Sequence, residues 1–108
     1  MGVPDKGDLV FLNFTPQSGH EQAGYRPALV LSPKLFNQAA FVVVCPITSK
    51  EKGYPFEVKI PDGLQVNGVI LTDQLRSLDW RSRGLKIVDQ APVATVEECV
   101  ELISTFLG

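Results

Sequence analysis

At 108 residues the chain is long enough for one packed core and too short for two. Hydrophobic residues make up 44% and charged residues 20%, which excludes a disordered polymer. A net charge of −2 excludes a protein that coats nucleic acid through bulk positive charge, while leaving room for a local basic patch.

Nine glycines and eight prolines favour short strands joined by turns. Cys45 and Cys99 sit among valines and read as buried free thiols, with a disulfide as the alternative. No CxxC or Cys/His cluster suggests a metal. The N-terminal residues lack an apolar signal core, and no apolar run approaches the roughly 18 residues of a membrane span. The expectation is a soluble, cytoplasmic protein with one domain over residues 1–108.

Gly7-Asp8 opens a first strand at Leu9–Phe14, whose near-continuous apolar character fits a strand covered on both faces. Residues 15–19 break that pattern. The loop continues through Gly19-His20-Glu21-Gln22-Ala23-Gly24-Tyr25-Arg26-Pro27, and a second strand covers Ala28–Leu31. Ser32-Pro33 predicts an N-cap and first helical residue for a short helix over Lys34–Gln38. Phe41–Pro46 is a third strand on the strength of Val42-Val43-Val44, followed by a polar loop from Thr48 to Gly53.

Tyr54–Ile60 alternates apolar and charged residues from Phe56 on, predicting a strand with one wet face. Turns at Pro61-Asp62-Gly63 and Asn67-Gly68 lead to a strand over Gly68–Thr72. Asp73–Asp79 leads away from its end into a basic turn, Trp80–Gly84, and a short strand at Leu85–Val88. Thr95-Val96-Glu97-Glu98 reads as a capping box. The helix after it places Val96, Cys99, Val100, Ile103, Phe106 and Leu107 on one face. Five or six short strands and a terminal helix predict a mainly β fold with helices (α+β): a small, strongly bent antiparallel sheet or barrel with a C-terminal amphipathic helix.

The polar residues read two ways. Arg26, where loop becomes strand, is either a surface arginine paired with Glu21 or Asp73, or a planar five-donor clamp for a phosphate. A guanidinium holds its proton too firmly to shuttle it, so its natural work is stabilising negative charge. Thr48 and Ser49 either cap backbone groups at a strand end or hold a phosphate oxygen. His20, the only histidine, is structural, exposed, or a group titrating near neutral pH. Glu21 either accepts a proton from a hydroxyl or pairs with a cation. Lys50, Lys52, Arg76, Arg81 and Arg83 are solvated singly or form one basic groove. Tyr54, Phe56 and Trp80 would then interleave aromatics with that charge, as in single-strand nucleic-acid binding.

In order and spacing these motifs resemble the MazF/PemK family of toxin endoribonucleases. The matching stretches are Gly7-Asp8, Gly-His-Glu-Gln-x-Gly-x-Arg-Pro at 19–27, Val-Leu-Ser at 30–32 and Asn37. The match continues through Pro46-Ile47-Thr48-Ser49, Lys-Gly-Tyr-Pro-Phe-Glu-Val at 52–58, Gly-Val-Ile-Leu-Thr-Asp-Gln at 68–74, and Trp80-Arg81-x-Arg83-Gly84. The MazF branch is closer than the PemK branch. The resemblance implies a PemK/CcdB-like, SH3-like barrel working as a homodimer. It implies metal-independent, sequence-specific cleavage of single-stranded mRNA by 2′-hydroxyl attack, leaving a 2′,3′-cyclic phosphate and a 5′-hydroxyl.

It further implies catalytic roles for Arg26, which would stabilise the phosphorane, for Thr48, which would position the phosphate, and for Glu21. Protonation of the leaving oxygen is a further role open to Arg26. RNA contacts would come from His20, Gln22, Tyr25, Ser49, Lys50, Lys52, Tyr54, Phe56, Asp73, Gln74 and Arg76. A cognate MazE-like antitoxin with an acidic, disordered tail would meet Trp80, Arg81 and Arg83. PemK-type members carry an arginine two residues before the aspartate matching Asp73; Leu71 stands there, leaving Asp73 in the second rank and the base for the 2′-hydroxyl unassigned. Two alternatives are a CcdB-like gyrase poison and a non-catalytic SH3-like binding module. The first relies on a tryptophan near the end of the C-terminal helix, where this chain has Ser104–Gly108.

Overall fold

The computed structural model describes residues 2–15 and 24–108. In chain order these form β1 (Asp8–Asn13), β2 (Tyr25–Val30), α1 (Lys34–Asn37), β3 (Phe41–Thr48), β4 (Glu57–Lys59), β5 (Val69–Leu71), β6 (Arg76–Asp79), β7 (Lys86–Gln90) and α2 (Val93–Leu107). The seven strands make one antiparallel sheet in the order β4-β5-β3-β2-β1-β7, with β6 also paired to β3.

The apolar run predicted for β1 is explained by its position between β2 and β7, where both faces are covered. Leu9 faces a cluster with Leu29, Cys45, Ile47 and Ile70 that α2 covers through Val96 and Cys99. Val10, Leu12 and Phe14 face the other side, with Ala28, Val30, Val42, Val44, Leu78 and Trp80. Strand alternation thus feeds two cores from one sheet. Each fully buried Leu, Val or Ile there contributes about 1.5–3 kcal/mol.

β3 bends the sheet by changing neighbours. One edge pairs with β2 through Val44, Cys45 and Pro46; the other pairs with β6 up to Val44 and with β5 from Ile47. Pro46 falls at that change, where its missing N–H leaves no donor unpaired. The sheet stays open, the first of the two forms expected, a bent antiparallel sheet or a barrel. β4 and β7 are its ends, and the loop after β4 reaches β7 through the Gln65 N–H, which donates to Asp89 Oδ2 at 2.8 Å. A side-chain clip replaces the ladder that closure would need.

Several boundaries differ from the sequence reading. β2 begins three residues earlier than expected, so Arg26 and Pro27 lie within it. The strand expected over Tyr54–Ile60 is only Glu57–Lys59. β6 was expected as a connection; it takes a place beside β3 with Leu78 as its single buried side chain. Trp80–Arg83 is a 3-10 helix rather than a turn.

Neither expected cap forms. Ser32 is not the cap of α1, since its hydroxyl donates to Asn37 Oδ1 and accepts the Val43 N–H. Asp5 serves the helix instead, accepting the Lys34 N–H at 2.8 Å. α2 starts at Pro92 rather than Thr95, because proline's fixed φ already suits the helix entry. Thr95 is buried one turn in, and its N–H donates to the Pro92 carbonyl. On α2, Val96 and Cys99 are buried and Leu102 and Ile103 half-buried, whereas Val100, Phe106 and Leu107 are exposed.

Candidate active site

Arg26 and Thr48 are 22 positions apart, and the β2–β3 register brings them to one end of the pair. The pairs Val30–Val44, Leu29–Cys45 and Ala28–Pro46 define it. The ladder ends at Ala28–Pro46, and Arg26 on β2 and Thr48 on β3 each stand two residues beyond that same end. Arg26 is exposed there and also sits across from Leu12 of β1. Thr48 is 8% exposed, and its Oγ1 accepts the Lys50 N–H at 3.1 Å. That local turn fixes the oxygen, and a hydroxyl that accepts one N–H keeps its own hydrogen to donate.

Beyond Thr48 opens a cleft of about 510 Å³. Lys50, Lys52 and Tyr54 of the β3–β4 loop line it, together with Glu57, Leu71, Asp73 and Gln74. Lys52 Nζ lies 5.8 Å from the Tyr54 ring centre, within cation–π range. A larger hollow, about 820 Å³, lies between the N-terminal segment and α2. Asp5, Glu97 and Glu101 face it against Lys6, so its balance of charge repels phosphate. Anion chemistry belongs to the smaller cleft.

The predicted basic groove divides in two. Lys50 and Lys52 are exposed at the cleft, and Ser49 beside them is exposed as well. The three arginines are engaged within the chain, Arg76 and Arg83 half-buried and Arg81 exposed. Arg83 donates through Nε to Asp79 Oδ1 at 2.8 Å, and through one terminal nitrogen to the carbonyls of Asn13 and Thr15 at 3.0 and 2.9 Å. Arg76 donates to the Phe14 carbonyl at 3.3 Å, and its guanidinium lies 5.7 Å from that residue's ring centre. Arg81 lies 4.4 Å from the Trp80 ring centre and donates to the Gln38 carbonyl at 3.2 Å.

The aromatics divide similarly. Tyr54 is 57% exposed beside the cleft. Phe56 is half-buried and meets Phe106 edge-on at 5.5 Å, while Trp80 is buried and donates through Nε1 to the Asn37 carbonyl at 2.8 Å. An open stacking surface was expected of both; packing occupies them. Tyr25, 56% exposed, stacks on Phe11 at 5.7 Å, and its hydroxyl donates to the Gly84 carbonyl at 3.3 Å. His20, Glu21 and Gln22 lie outside the described residues.

Asn37 is structural: wholly buried, it donates to the carbonyls of Pro4 and Ser32 at 2.8 and 2.9 Å. Glu57 was read as one of the charged residues on a wet strand face. Its carboxylate instead accepts backbone N–H groups from Lys52 and Gly53. The signal for it was a glycine four residues upstream in a lysine-bearing loop.

The Ser82 hydroxyl, and then Arg83, hold the Asp79 carboxyl below the usual range. The amide of Lys34 and then that of Lys6 do the same for Asp5, and the amides of Gln65 and Gln90 for Asp89. Burial pushes both thiols up, Cys99 to about 12 and Cys45 further. Both cysteines are free, and among the described residues no three His, Cys, Asp or Glu side chains cluster as a metal-ligand set.

The fold and site define the class: a small open antiparallel sheet packed by one terminal helix, with Arg26 and Thr48 beyond one end of a strand pair and a lysine-bearing cleft beside Thr48. The chain belongs to the PemK-like, MazF-like toxins of type II toxin–antitoxin systems, whose family model matches residues 5–107. It is 51% identical over 83 residues to the endoribonuclease toxin MazF of Escherichia coli K12, covering 76% of this chain and 74% of that one. The endoribonuclease toxin ChpB of the same strain is 39% identical over 102 residues, covering 89% and 87%. The crystal structure of MazF from Deinococcus radiodurans matches with a TM-score of 0.94 at 53% identity, over 98% of this chain and 97% of that one. A chain of a MazE–MazF crystal structure from that organism matches with a TM-score of 0.88 at 53% identity, over 98% and 96%.

Proposed function

We propose that this protein is an endoribonuclease toxin that cleaves single-stranded RNA, chiefly mRNA, at short sequences without a metal. The single observation that carries the reading is that Arg26 and Thr48 stand beyond the same end of the β2–β3 ladder, with Thr48 lining the lysine-bearing cleft. The relatives named endoribonuclease toxins support it.

The scissile phosphate lies between Arg26 and Thr48. The 2′-hydroxyl oxygen attacks phosphorus and loses its proton, the bond from phosphorus to the 5′-oxygen breaks, and that oxygen takes up a proton. The products are a 2′,3′-cyclic phosphate and a 5′-hydroxyl. Arg26 stabilises the added negative charge of the phosphorane with paired N–H donors. The Thr48 hydroxyl donates to a non-bridging oxygen and sets the phosphate in line. Glu21 completes the catalytic set.

Lys50 and Lys52 draw the backbone in by charge, and Tyr54 offers a ring for a base to stack on. Ser49, Asp73 and Gln74 touch the bases or sugars from the cleft rim. His20, Gln22 and Tyr25, neighbours of Arg26 in the sequence, contact the RNA as well. Phe56 and Arg76 support this surface from within.

The toxin works in the cytoplasm as a homodimer, with residues 1–108 as one toxin domain. A MazE-like antitoxin neutralises it, its acidic tail competing for the lysines of the groove and meeting the surface around Trp80, Arg81 and Arg83. MazE–MazF complexes of a relative support that partnership.

The test is cleavage of a long RNA in EDTA, followed by end-group analysis. Discrete fragments with cyclic phosphate and 5′-hydroxyl ends are expected, and one 2′-deoxy substitution at a cut site should abolish that cut alone. Intact RNA from folded protein across several sequences, or cleavage that survives the 2′-deoxy substitution, contradicts the mechanism.

A further inference from the structure

The loop between β3 and β4 carries Lys50, Lys52 and Tyr54 to the cleft, and its shape depends on an acid at its far end. Gly53 has φ +76°, and no atom lies within 4 Å of where its Cβ would stand. Around such a left-handed residue, successive backbone N–H groups converge into an anion-binding nest. In this chain the nest is filled. Glu57 Oε1 accepts the Gly53 N–H at 2.9 Å and the Lys52 N–H at 3.2 Å, and Oε2 accepts the Lys52 N–H at 3.2 Å.

The carboxylate is anchored at the first residue of β4, whose ladder runs to β5 through Glu57–Leu71. Leu71 lines the same cleft. One side chain therefore ties the lysine-bearing loop to the β4–β5 ladder at the cleft.

We infer that Glu57 is a positioning residue of the RNA site: its carboxylate, seated on the Lys52 and Gly53 amides, holds Lys50, Lys52 and Tyr54 in place for an incoming nucleotide. The inference rests on the ribonuclease reading above. Two consequences separate it from catalysis. With Glu57 already accepting backbone donors, its removal disorders the loop that binds, so KM rises while the chemical step is spared. Both amides also reach Oε1, so glutamine, which keeps that oxygen, preserves the seat without the charge.

The experiment compares wild type, Glu57→Gln, Glu57→Ala and Gly53→Ala by single-turnover cleavage of one RNA, with hydrogen exchange at the Lys52 and Gly53 amides. Gly53→Ala strains the same nest from its other side and leaves the carboxylate in place. Glu57→Ala is expected to raise KM about tenfold, the scale of one charge-assisted contact, with kcat changed less than about threefold. Its two amides should exchange faster, Gly53→Ala should act in the same direction, and Glu57→Gln should keep KM within about threefold of wild type.

An unchanged KM in Glu57→Ala beside faster exchange overturns the inference, because the loop then loosens without consequence for RNA. A loss of kcat in Glu57→Gln as large as in Glu57→Ala also overturns it, making Glu57 a group that acts by charge or proton transfer. Wild-type protein that neither binds nor cuts the RNA refutes the ribonuclease reading instead, a result distinct from either of these.

Discussion

Gly68→Ala puts a methyl group where β5 begins, against the backbone that carries Thr48. A Cβ at residue 68 would stand 2.2 Å from the Thr48 carbonyl oxygen, 2.8 Å from its carbonyl carbon and 3.1 Å from Ser49 Cα. An ordinary carbon–oxygen contact needs a little over 3 Å, so the Thr48 carbonyl must retreat by roughly 1 Å. Thr48 pairs directly with Val69, the next residue along, so the displacement falls on the strand end that holds the hydroxyl proposed to position the phosphate. A misplacement of that size costs about a hundredfold in rate. Overpacking adds a loss of about 1–3 kcal/mol in stability, and the φ of +115° at residue 68 adds strain of about 1–3 kcal/mol. Gly63→Ala is the control: its φ is +92°, with nothing within 4 Å of the added carbon. It carries the strain and not the collision. Single-turnover cleavage measured well below both melting temperatures should show Gly68→Ala slowed about a hundredfold and Gly63→Ala within about threefold of wild type. A folded Gly68→Ala that cleaves as fast as Gly63→Ala would refute the reasoning that Thr48's position governs the rate.

Other outcomes follow from the same geometry. Asp79 has a folded pKa below its unfolded value, so its contribution is complete above the unfolded pKa and is lost as pH falls through the folded one. Thermal melts of wild type and Asp79→Asn should therefore differ by a constant amount from neutral pH to about pH 4.5 and converge below about pH 4; a gap that persists undiminished to pH 2 counts against the contact with Ser82 and Arg83. Asn37→Ala strips donors from the Pro4 and Ser32 carbonyls inside the protein. It should cost about 1–3 kcal/mol for each acceptor left unpaired, and chemical denaturation showing less than about 0.5 kcal/mol would contradict that role. With burial raising both thiols, Cys45 and Cys99 should react with a disulfide reagent at pH 8 only as fast as the protein opens. Rapid labelling under native conditions would contradict their burial.

Much of the sheet was legible because β1, β3 and the Ala28–Val30 half of β2 are largely buried apolar runs, a pattern strong enough to survive without context. β6 was not legible. Arg76-Ser77-Leu78-Asp79 carries one buried side chain, and its strand character comes from pairing with Phe41–Val44. The Thr95–Glu98 capping box was a sound local signal that lost to Pro92, the N-cap three residues upstream of Thr95. The site divides along the same line. Arg26 and Thr48 could be chosen by side-chain chemistry and by resemblance, but their place beyond one end of the ladder is a property of register, which neither stretch contains alone. Arg76, Arg83 and Trp80 looked like surface chemistry in the sequence. The carbonyls and apolar neighbours that claim them lie far away along the chain, Asn13, Thr15 and Asn37 among them. Gly68 and Glu57 read as a turn residue and a solvated charge, since the groups they meet become neighbours only on folding.

The most direct measurement is single-turnover RNA cleavage in EDTA by wild type, Arg26→Ala and Thr48→Ala, each confirmed folded by its melting curve. Wild type should give discrete 5′-hydroxyl fragments, and each variant should lose about two to four orders of magnitude in rate while still binding RNA through Lys50 and Lys52. Variants that fold and cleave at the wild-type rate would place the chemistry elsewhere and contradict the account.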